Sequence, residues 1–374
     1  MKIMMLINSF SGGGAEKVFV NLANYFFHHG IDVIYVVGSN EGPNKKKLNS
    51  SIKLYSLSKN CSGISILSNS LKLMKILKKQ KPDIVFSTLE LSNFLNLLFV
   101  NLHNKLGNKK IKIVLREANT LTSLATNQKK SVLTTLLDYF LKKKSYLSDL
   151  IICNSPETMV DIINERKVSN KVKVIPNPVL NERNFLFKKK LRKNRTIKII
   201  TAGRLSYQKN QKFLITVVNQ LKIEGYDVKL DIYGNGELEN ELKTLVTKLE
   251  LDNNVFFKGY SDELEYKYKD YDIFCLSSLW EGFGNVFVEA LASGLPLLSL
   301  DSPGGAKFII HSNFVGMISS DDIYEYKNKL LDLVTNDTDE KILLRIAESR
   351  KYMTNTVSNL YLDEIMSIYE ERLL

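Results

Sequence analysis

Short apolar runs of strand length alternate with stretches of helical period along the chain, and the alternation starts afresh halfway along. Parallel strands need helical crossovers between them, and their burial on both faces makes them read as continuous apolar runs, so this pattern commits the chain to α/β domains with parallel sheets. In the first half, strands are expected at Ile3–Asn8, Asp32–Val37, Ile84–Ser87, Ile111–Leu115, Leu150–Asn154 and Val172–Ile175. Helices fit between them at Glu16–Phe27 and Ile64–Lys79, and another opens at Ser155-Pro156-Glu157, with proline in the first turn. Pro176-Asn177-Pro178 breaks the pattern, and the basic run Lys188-Lys189-Lys190-Leu191-Arg192-Lys193 follows. The alternation then resumes with strands at Ile197–Ala202, Val228–Tyr233, Val255–Lys258, Ile273–Leu276 and Leu297–Leu300, and helices near Lys212–Ile223, Leu238–Leu249 and Asn285–Ala292. From about Tyr324 onward only helix is expected. The resulting expectation is two doubly wound, Rossmann-like domains whose parallel sheets face an interdomain cleft, because such domains take ligands at the carboxyl ends of their strands. Residues 1–180 form the first domain, 181–195 a basic linker, and 196–352 the second domain; residues 353–374 are a terminal helix packing back toward the first.

A chain of 374 residues is too long for one ordinary core and suits two. With 44% hydrophobic and 25% charged residues it has the balance of a folded protein rather than a disordered one. Cys61, Cys153 and Cys275 are odd in number and far apart, which excludes a disulfide framework and points to reduced, cytoplasmic thiols. The apolar run Ile3–Ile7 is shorter than a signal-peptide core and reads as a buried first strand. No uncharged stretch approaches the roughly 20 apolar residues of a spanning helix, so any membrane attachment is expected from the side. Charge, however, is segregated. Residues 1–195 hold 33 basic against 12 acidic side chains, a net of +21, while residues 196–374 hold 19 against 28, a net of −9. Such asymmetry points to an anionic partner for the first half.

Three motifs follow strands directly. Ser11-Gly12-Gly13-Gly14-Ala15-Glu16 opens a helix, where glycines admit an anion to free backbone N–H groups; Lys17 stands where a dinucleotide fingerprint needs its last glycine. Ala202-Gly203-Arg204-Leu205 with Lys209-Asn210 places a guanidinium fork and a point charge five residues apart beside a glycine, a pair that can converge on a diphosphate. In the third, Trp280-Glu281-Gly282-Phe283-Gly284-Asn285-Val286-Phe287-Val288-Glu289, two carboxylates frame a loop-to-helix junction. Each can accept hydrogen bonds from sugar hydroxyls, and the N–H groups of Phe283 to Val286 can meet phosphate charge. The four histidines share no spacing with acidic partners, so no metal site is expected. Asp270-Tyr271-Asp272 reads as the turn into a buried strand rather than as a metal motif. The lysines are not interleaved with an aromatic platform, and nucleic acid is not expected as a partner.

The pattern Glu-Gly-Phe-Gly-x-x-x-x-Glu-Ala-x-Ala-x-Gly-x-Pro from Glu281 to Pro296 resembles the signature of glycosyltransferase family 4. Gly203-Arg204-Leu205 with Lys209-Asn210 resembles that family's diphosphate-binding segment, and Gly12 to Glu16 its first loop, so the likeness covers nearly the whole chain in order. It implies a GT-B fold and a retaining glycosyltransferase of the kind that builds bacterial surface polysaccharide or lipid-linked oligosaccharide. The implied donor is a nucleotide diphosphate sugar, UDP-linked by preference, and the acceptor a glycan or a polyprenyl-diphosphate-linked glycan. By the same resemblance Glu281 lies against the donor sugar, Glu289 holds the ribose hydroxyls, and Arg204 and Lys209 neutralise the diphosphate without a metal ion. The Gly13-Gly14 backbone approaches the leaving phosphate or acceptor, and Phe283, Gly284, Asn285 and Val286 line the sugar and phosphate. The sequence departs from the family where many members carry a histidine; Val114-Leu115-Arg116-Glu117-Ala118-Asn119 stands there. Glu117 or Arg116 is the expected occupant, with Glu117 counted among the catalytic residues and Arg116, Asn119 and Glu16 on the acceptor side.

Lys129-Lys130 and Lys142-Lys143-Lys144 flank an apolar stretch with Leu133, Leu136, Leu137, Phe140 and Leu141. A helix of that kind can rest on anionic lipid, which places the protein peripherally on the inner face of the plasma membrane; an ordinary core-facing helix with solvated ends fits the same pattern. A nucleotide-sugar epimerase of the same fold and a non-catalytic partner of another transferase are the alternative functions.

Overall fold

A computed structural model describes residues 1–58, 66–107, 110–119, 132–185, 196–261 and 263–371. Cys61, Lys129-Lys130 and the basic run at 188–193 lie outside them. The chain divides into two compact units, one of Met1–Pro178 with Thr354–Leu374, the other of Val179–Met353.

The first unit is a seven-stranded parallel sheet. Its strands are β1 (Lys2–Ile7), β2 (Asp32–Val37), β3 (Lys53–Ser56), β4 (Ile84–Thr88), β5 (Lys112–Glu117), β6 (Leu150–Cys153) and β7 (Val172–Val174), in the order β3-β2-β1-β4-β5-β6-β7. The pleat sorts side chains to its two faces. Ile3, Met5 and Ile7 join the core under the helix Gly14–His28 and the last helix, Thr354–Glu370, through Phe19, Phe26, Val357 and Tyr361. Met4 and Leu6 join the opposite core, under the helices Ile66–Gln80, Glu90–Lys105, Val132–Lys144 and Pro156–Arg166. The proline start of the last of these is as expected: the Ser155 side chain accepts from the Thr158 N–H at 3.2 Å.

The second unit repeats the plan with six parallel strands: β8 (Ile197–Ala202), β9 (Val228–Tyr233), β10 (Val255–Gly259), β11 (Ile273–Leu276), β12 (Leu297–Leu300) and β13 (Gly316–Ser319), in the order β10-β9-β8-β11-β12-β13. Ile200, Phe274 and Leu276 face the helix Asn285–Ala292, while Ile199, Ile273 and Cys275 face the helices Gln211–Ile223 and Ile323–Thr335. In both sheets the chain order reverses beside the first strand, between β1 and β4 and between β8 and β11. Loops at the carboxyl ends of those neighbours therefore diverge and leave room for a ligand.

Two strands were not expected. β3 and β13, Lys-Leu-Tyr-Ser and Gly-Met-Ile-Ser, are four-residue strands at sheet edges. With one ladder partner each and partly exposed side chains, they carry no continuous apolar run to betray them. The helix Glu90–Lys105 also went unmarked, because it starts at Leu89 with φ of +74° and no side-chain cap. Among the described residues no helix is long and apolar enough to cross a membrane.

Candidate functional site

In the second unit the loops after β8 and β11 meet across the point where strand order reverses. They are stitched together: Leu279 N–H donates to Gln208 O at 2.8 Å, and the Gln208 amide returns a bond to Trp280 O at 2.8 Å. Ser277 Oγ lies 3.0 and 2.8 Å from the carbonyls of Lys209 and Asn210. At the centre of this seam Lys209 Nζ pairs with Glu281 Oε1. Ser278, fully buried, donates to the same carboxylate oxygen at 2.5 Å. Glu281 is only 5% exposed, and the Lys209 side chain keeps 17% of its surface accessible. The pair is thus largely shielded from water yet open on its cationic side.

Glycine makes the approach possible. A Cβ on Gly203 would come within 3.2 Å of the Lys209 stem, so a larger residue would press on the side chain that reaches Glu281. Gly304, at φ of +120°, passes so close to the Glu281 carbonyl that a Cβ would lie 1.7 Å from its oxygen. Glu281 N–H donates to Pro303 O at 2.9 Å and Gly305 N–H to Gly282 O at 3.0 Å. The loop after β12 therefore forms the floor under the Glu281 loop.

Gly284, in the left-handed region at φ of +81°, turns the chain into the helix Asn285–Ala292, whose start has no side-chain cap. Its helix dipole and the N–H groups of the first turn, at Asn285 and Val286, are the expected anion-facing elements. Phe283 is buried beside them. Glu289 lies in that helix, 9% exposed, and accepts from Tyr268 O–H at 3.5 Å. Burial, and next the Glu289 carboxylate, push the Tyr268 phenol well above its ordinary value, so it stays a neutral donor. Arg204 is exposed, and its guanidinium makes no ion pair among the described residues; its carbonyl accepts from Gln211 at 3.0 Å. Lys209 and Glu281 are thus brought together, Arg204 lies in the loop that carries Lys209, and Phe283 to Glu289 continue the chain from Glu281. Asp272 lies at the opposite end of β11, where its carboxylate accepts the Lys198 N–H at 2.9 Å, and Tyr271 O–H donates to Asp231 at 2.6 Å.

In the first unit Gly13 caps the helix Gly14–His28 without a side chain. Glu16, 9% exposed, folds back over that start to accept from Ser11 Oγ at 2.5 Å, and a Cβ on Gly13 would lie 2.3 Å from its other oxygen. Gly13, Gly14 and Glu16 form one tight turn at the carboxyl end of β1.

Arg116 and Glu117 are both held by other segments of the first unit. Both lie inside β5 and point to opposite faces of the sheet. Arg116, with no exposed surface, donates to Tyr361 Oη (3.2 Å), Thr88 Oγ1 (3.1 Å) and Asn177 Oδ1 (2.6 Å). It ties the terminal helix to the sheet. Glu117, 4% exposed, pairs with Arg166 at 2.5 Å and accepts from Asn93 at 2.9 Å. It is the last residue of β5, and its side chain packs against the helices on that face of the sheet. Asn119, two residues on, is exposed.

Sequence reasoning missed Ser278, Gly304 and the turn Gly234–Gly236 after β9. A Cβ on Gly234 or Gly236 would strike the carbonyl oxygens of Gly203 and Leu205 at 1.9 and 2.1 Å. Glycines directly after β9 and β12 were the available signal. Among the described residues no group of three or more His, Cys, Asp or Glu side chains is placed to hold a metal ion.

Two Rossmann-like parallel sheets of seven and six strands give the chain the GT-B fold. Residues 12–183 match Glycosyltransferase Family 4 and residues 182–355 match Glycosyl transferases group 1. The chain belongs to this family of glycosyltransferases. It is 30% identical over 261 residues to an uncharacterized glycosyltransferase of Methanocaldococcus jannaschii, covering 66% of this chain and 62%, less than two-thirds, of that relative. It is 27% identical over 361 residues to a Campylobacter jejuni enzyme named as an α-1,4-N-acetyl-D-galactosaminyltransferase acting on a diphospho-undecaprenol-linked glycan, covering 94% and 93% of the two chains. The structure of Anabaena HepE in complex with UDP-glucose aligns over 98% of this chain and 100% of that one with a TM-score of 0.79, at 19% identity, a likeness of fold.

Proposed function

We propose that the chain transfers a hexosyl or N-acetylhexosaminyl unit from a UDP-linked donor, with retention of configuration, to a glycan or polyprenyl-diphosphate-linked glycan during cell-surface polysaccharide synthesis. The observation that carries this reading is the Lys209–Glu281 pair, held between two loops at the sheet's reversal point and open on the lysine side. In the free protein Glu281 and Ser278 fix the Lys209 ammonium in place. An incoming diphosphate draws on that charge and on the exposed Arg204, and both interactions strengthen as negative charge gathers on the departing phosphate. Electrostatic stabilisation of this kind is usually the largest catalytic term. Once Lys209 is shared with phosphate, the Glu281 carboxylate is released to accept hydrogen bonds from donor-sugar hydroxyls, and Glu289 accepts those of the ribose. Arg204 and Lys209 supply the positive charge, so the reading includes no metal ion.

A panel of nucleotide sugars assayed for protection against thermal unfolding tests the donor. UDP-sugars are expected to raise the midpoint most, and a chelator to leave both protection and turnover unchanged. Equal protection by every nucleotide, or by none, would overturn the donor assignment. The product's anomeric configuration tests retention.

An acceptor at an anionic membrane surface on the cytoplasmic side accords with the charge of the first half and with the helix Val132–Lys144. That helix buries Leu137 and Leu141 but leaves Leu136 61% and Tyr139 62% exposed beside Lys143 and Lys144. Apolar tips among lysines suit an interfacial helix. Salt-sensitive binding to anionic vesicles is the expected result; its absence would remove the membrane from the reading.

A further inference from the structure

The crossover from β2 to β3 is irregular in structure but firmly held. After β2 the chain passes Gly42, at φ of +131°, so close to β1's loop that a Cβ would lie 2.0 Å from Phe10 O. Buried Asn44 then donates to Ser11 O at 2.5 Å, and the first carbon a side chain on Gly12 would add lies 3.6 Å from Pro43 Cγ. At the far end of the one-turn helix Pro43–Lys47, Asn24 donates to Lys47 O at 2.8 Å and accepts from Asn49 N–H at 2.8 Å. The crossover is therefore pinned at one end to the glycine turn and at the other to the helix Gly14–His28.

Along this pinned segment runs an open groove of about 620 Å³. Its walls are apolar, from Pro43, Leu48, Ile52 and Leu54, and Lys45 and Lys46 border it. A preformed apolar trough with two ammonium groups fits a ligand that carries an apolar chain and a phosphate at one end. Lysine acts on phosphate as a point charge, without the geometric demand of arginine. Gly42 and Pro43, which line the groove, also pack against the loop that leads into the glycine turn.

We propose that this groove binds the prenyl-diphosphate end of the acceptor, with Lys45 and Lys46 on the diphosphate and Pro43, Leu48, Ile52 and Leu54 against the first isoprene units. The proposal rests on the acceptor class given under the proposed function and adds to it a place on the chain.

The test is calorimetric titration of the full chain with farnesyl diphosphate, farnesol and inorganic pyrophosphate, with UDP as an independent probe of the second unit. Farnesyl diphosphate is expected to bind more tightly than either fragment. Lys45→Glu/Lys46→Glu is expected to weaken it about tenfold or more, since two partly solvated charge contacts reverse sign. UDP affinity should remain within about twofold. Lys45→Gln/Lys46→Gln, which alters the surface less, should give a smaller loss in the same direction. Leu48→Gln should weaken farnesyl diphosphate while leaving pyrophosphate unchanged. Unchanged farnesyl diphosphate binding in both lysine variants, or pyrophosphate binding as tight as farnesyl diphosphate, would overturn the proposal. So would loss of anionic-vesicle binding in those variants with farnesyl diphosphate binding intact. If the wild-type chain fails to bind UDP, the transferase reading fails, whatever the farnesyl diphosphate arm gives.

Discussion

Each unit joins a glutamate to a cation near the carboxyl end of a central strand, yet the two pairs do different work. Glu117 still belongs to β5, and the pleat turns its side chain down onto the helices, where Arg166 has no exposed side-chain surface. Glu281 comes five residues after β11 ends, beyond the pleat, and its lysine partner keeps one side open. The Arg166 Nε and Nη2 atoms are buried without hydrogen-bond partners among the described residues, so Glu117 is the principal compensation for that charge. Lys209 instead belongs to a one-turn helix of three residues that a ligand can engage. On the proposed reading, position relative to the strand end, not the identity of the pair, separates a strut from a site.

The comparison is broken most directly by removing each carboxylate. Glu117→Ala should lower unfolding free energy by about 3–5 kcal/mol, the cost of leaving a buried arginine unpaired. Urea denaturation measures the loss, and the protein that stays folded should retain its affinity for the donor. Stability unmoved while turnover vanishes would return Glu117 to the catalytic role that its place in the sequence first suggested.

The second pair should answer in the opposite sense. Glu281→Gln and Lys209→Ala should each reduce turnover about 10²–10³-fold, by analogy with the loss of one charge-stabilising group elsewhere. Glu281→Gln should change stability by about 1 kcal/mol, while Lys209→Ala, which leaves a nearly buried carboxylate with Ser278 as its remaining partner, should cost about 1–3 kcal/mol. Full turnover in both variants would refute the assignment of Lys209 and Glu281 to the active site. A smaller effect is expected from Ser278→Ala, which removes one hydrogen bond to a charged acceptor. A loss of about 1–2 kcal/mol corresponds to about 5–30-fold in turnover. Ser278→Thr, which keeps the hydroxyl, should recover part of it, whereas a purely packing role would not distinguish hydroxyl from methyl.

The same contrast explains what could be read from the chain. Apolar runs located eleven strands because parallel strands are buried on both faces; β3 and β13, at the edges, lacked that signature. Glu281 and Glu289, and Arg204 and Lys209, were legible because each pair lies in one short segment after a strand. Ser278 supports Glu281 from the same loop, but Pro303 and Gly304 come from β12's loop, and nothing local announces that they will lie beneath it. The surroundings of Arg116 and Glu117 were illegible for a related reason. Their neighbours, Tyr361, Asn177, Asn93 and Arg166, come from distant segments, and without them a charged pair at a strand's end looks like part of a site.

The smallest effect concerns the sheet interiors, where the two units should behave alike. β6 carries Cys153 and β11 carries Cys275, both without exposed surface. Burial pushes the Cys275 thiol up to about 12, against a slight downward pull from Tyr326, and burial also raises Cys153, with the Glu117 charge adding to it. The thiolate is the reactive form, so raised values mean that almost none is present near pH 8. An aromatic disulfide reagent at that pH should therefore leave both cysteines unmodified in the native protein and label both once denaturant is added, as peptide mass mapping can show. If only Cys153 becomes labelled in Glu117→Ala under native conditions, loss of the strut opens the first unit locally and leaves the second closed. Equal labelling of both would mean that the two units unfold together, and the division between strut and site could not then be assigned to separate cooperative units.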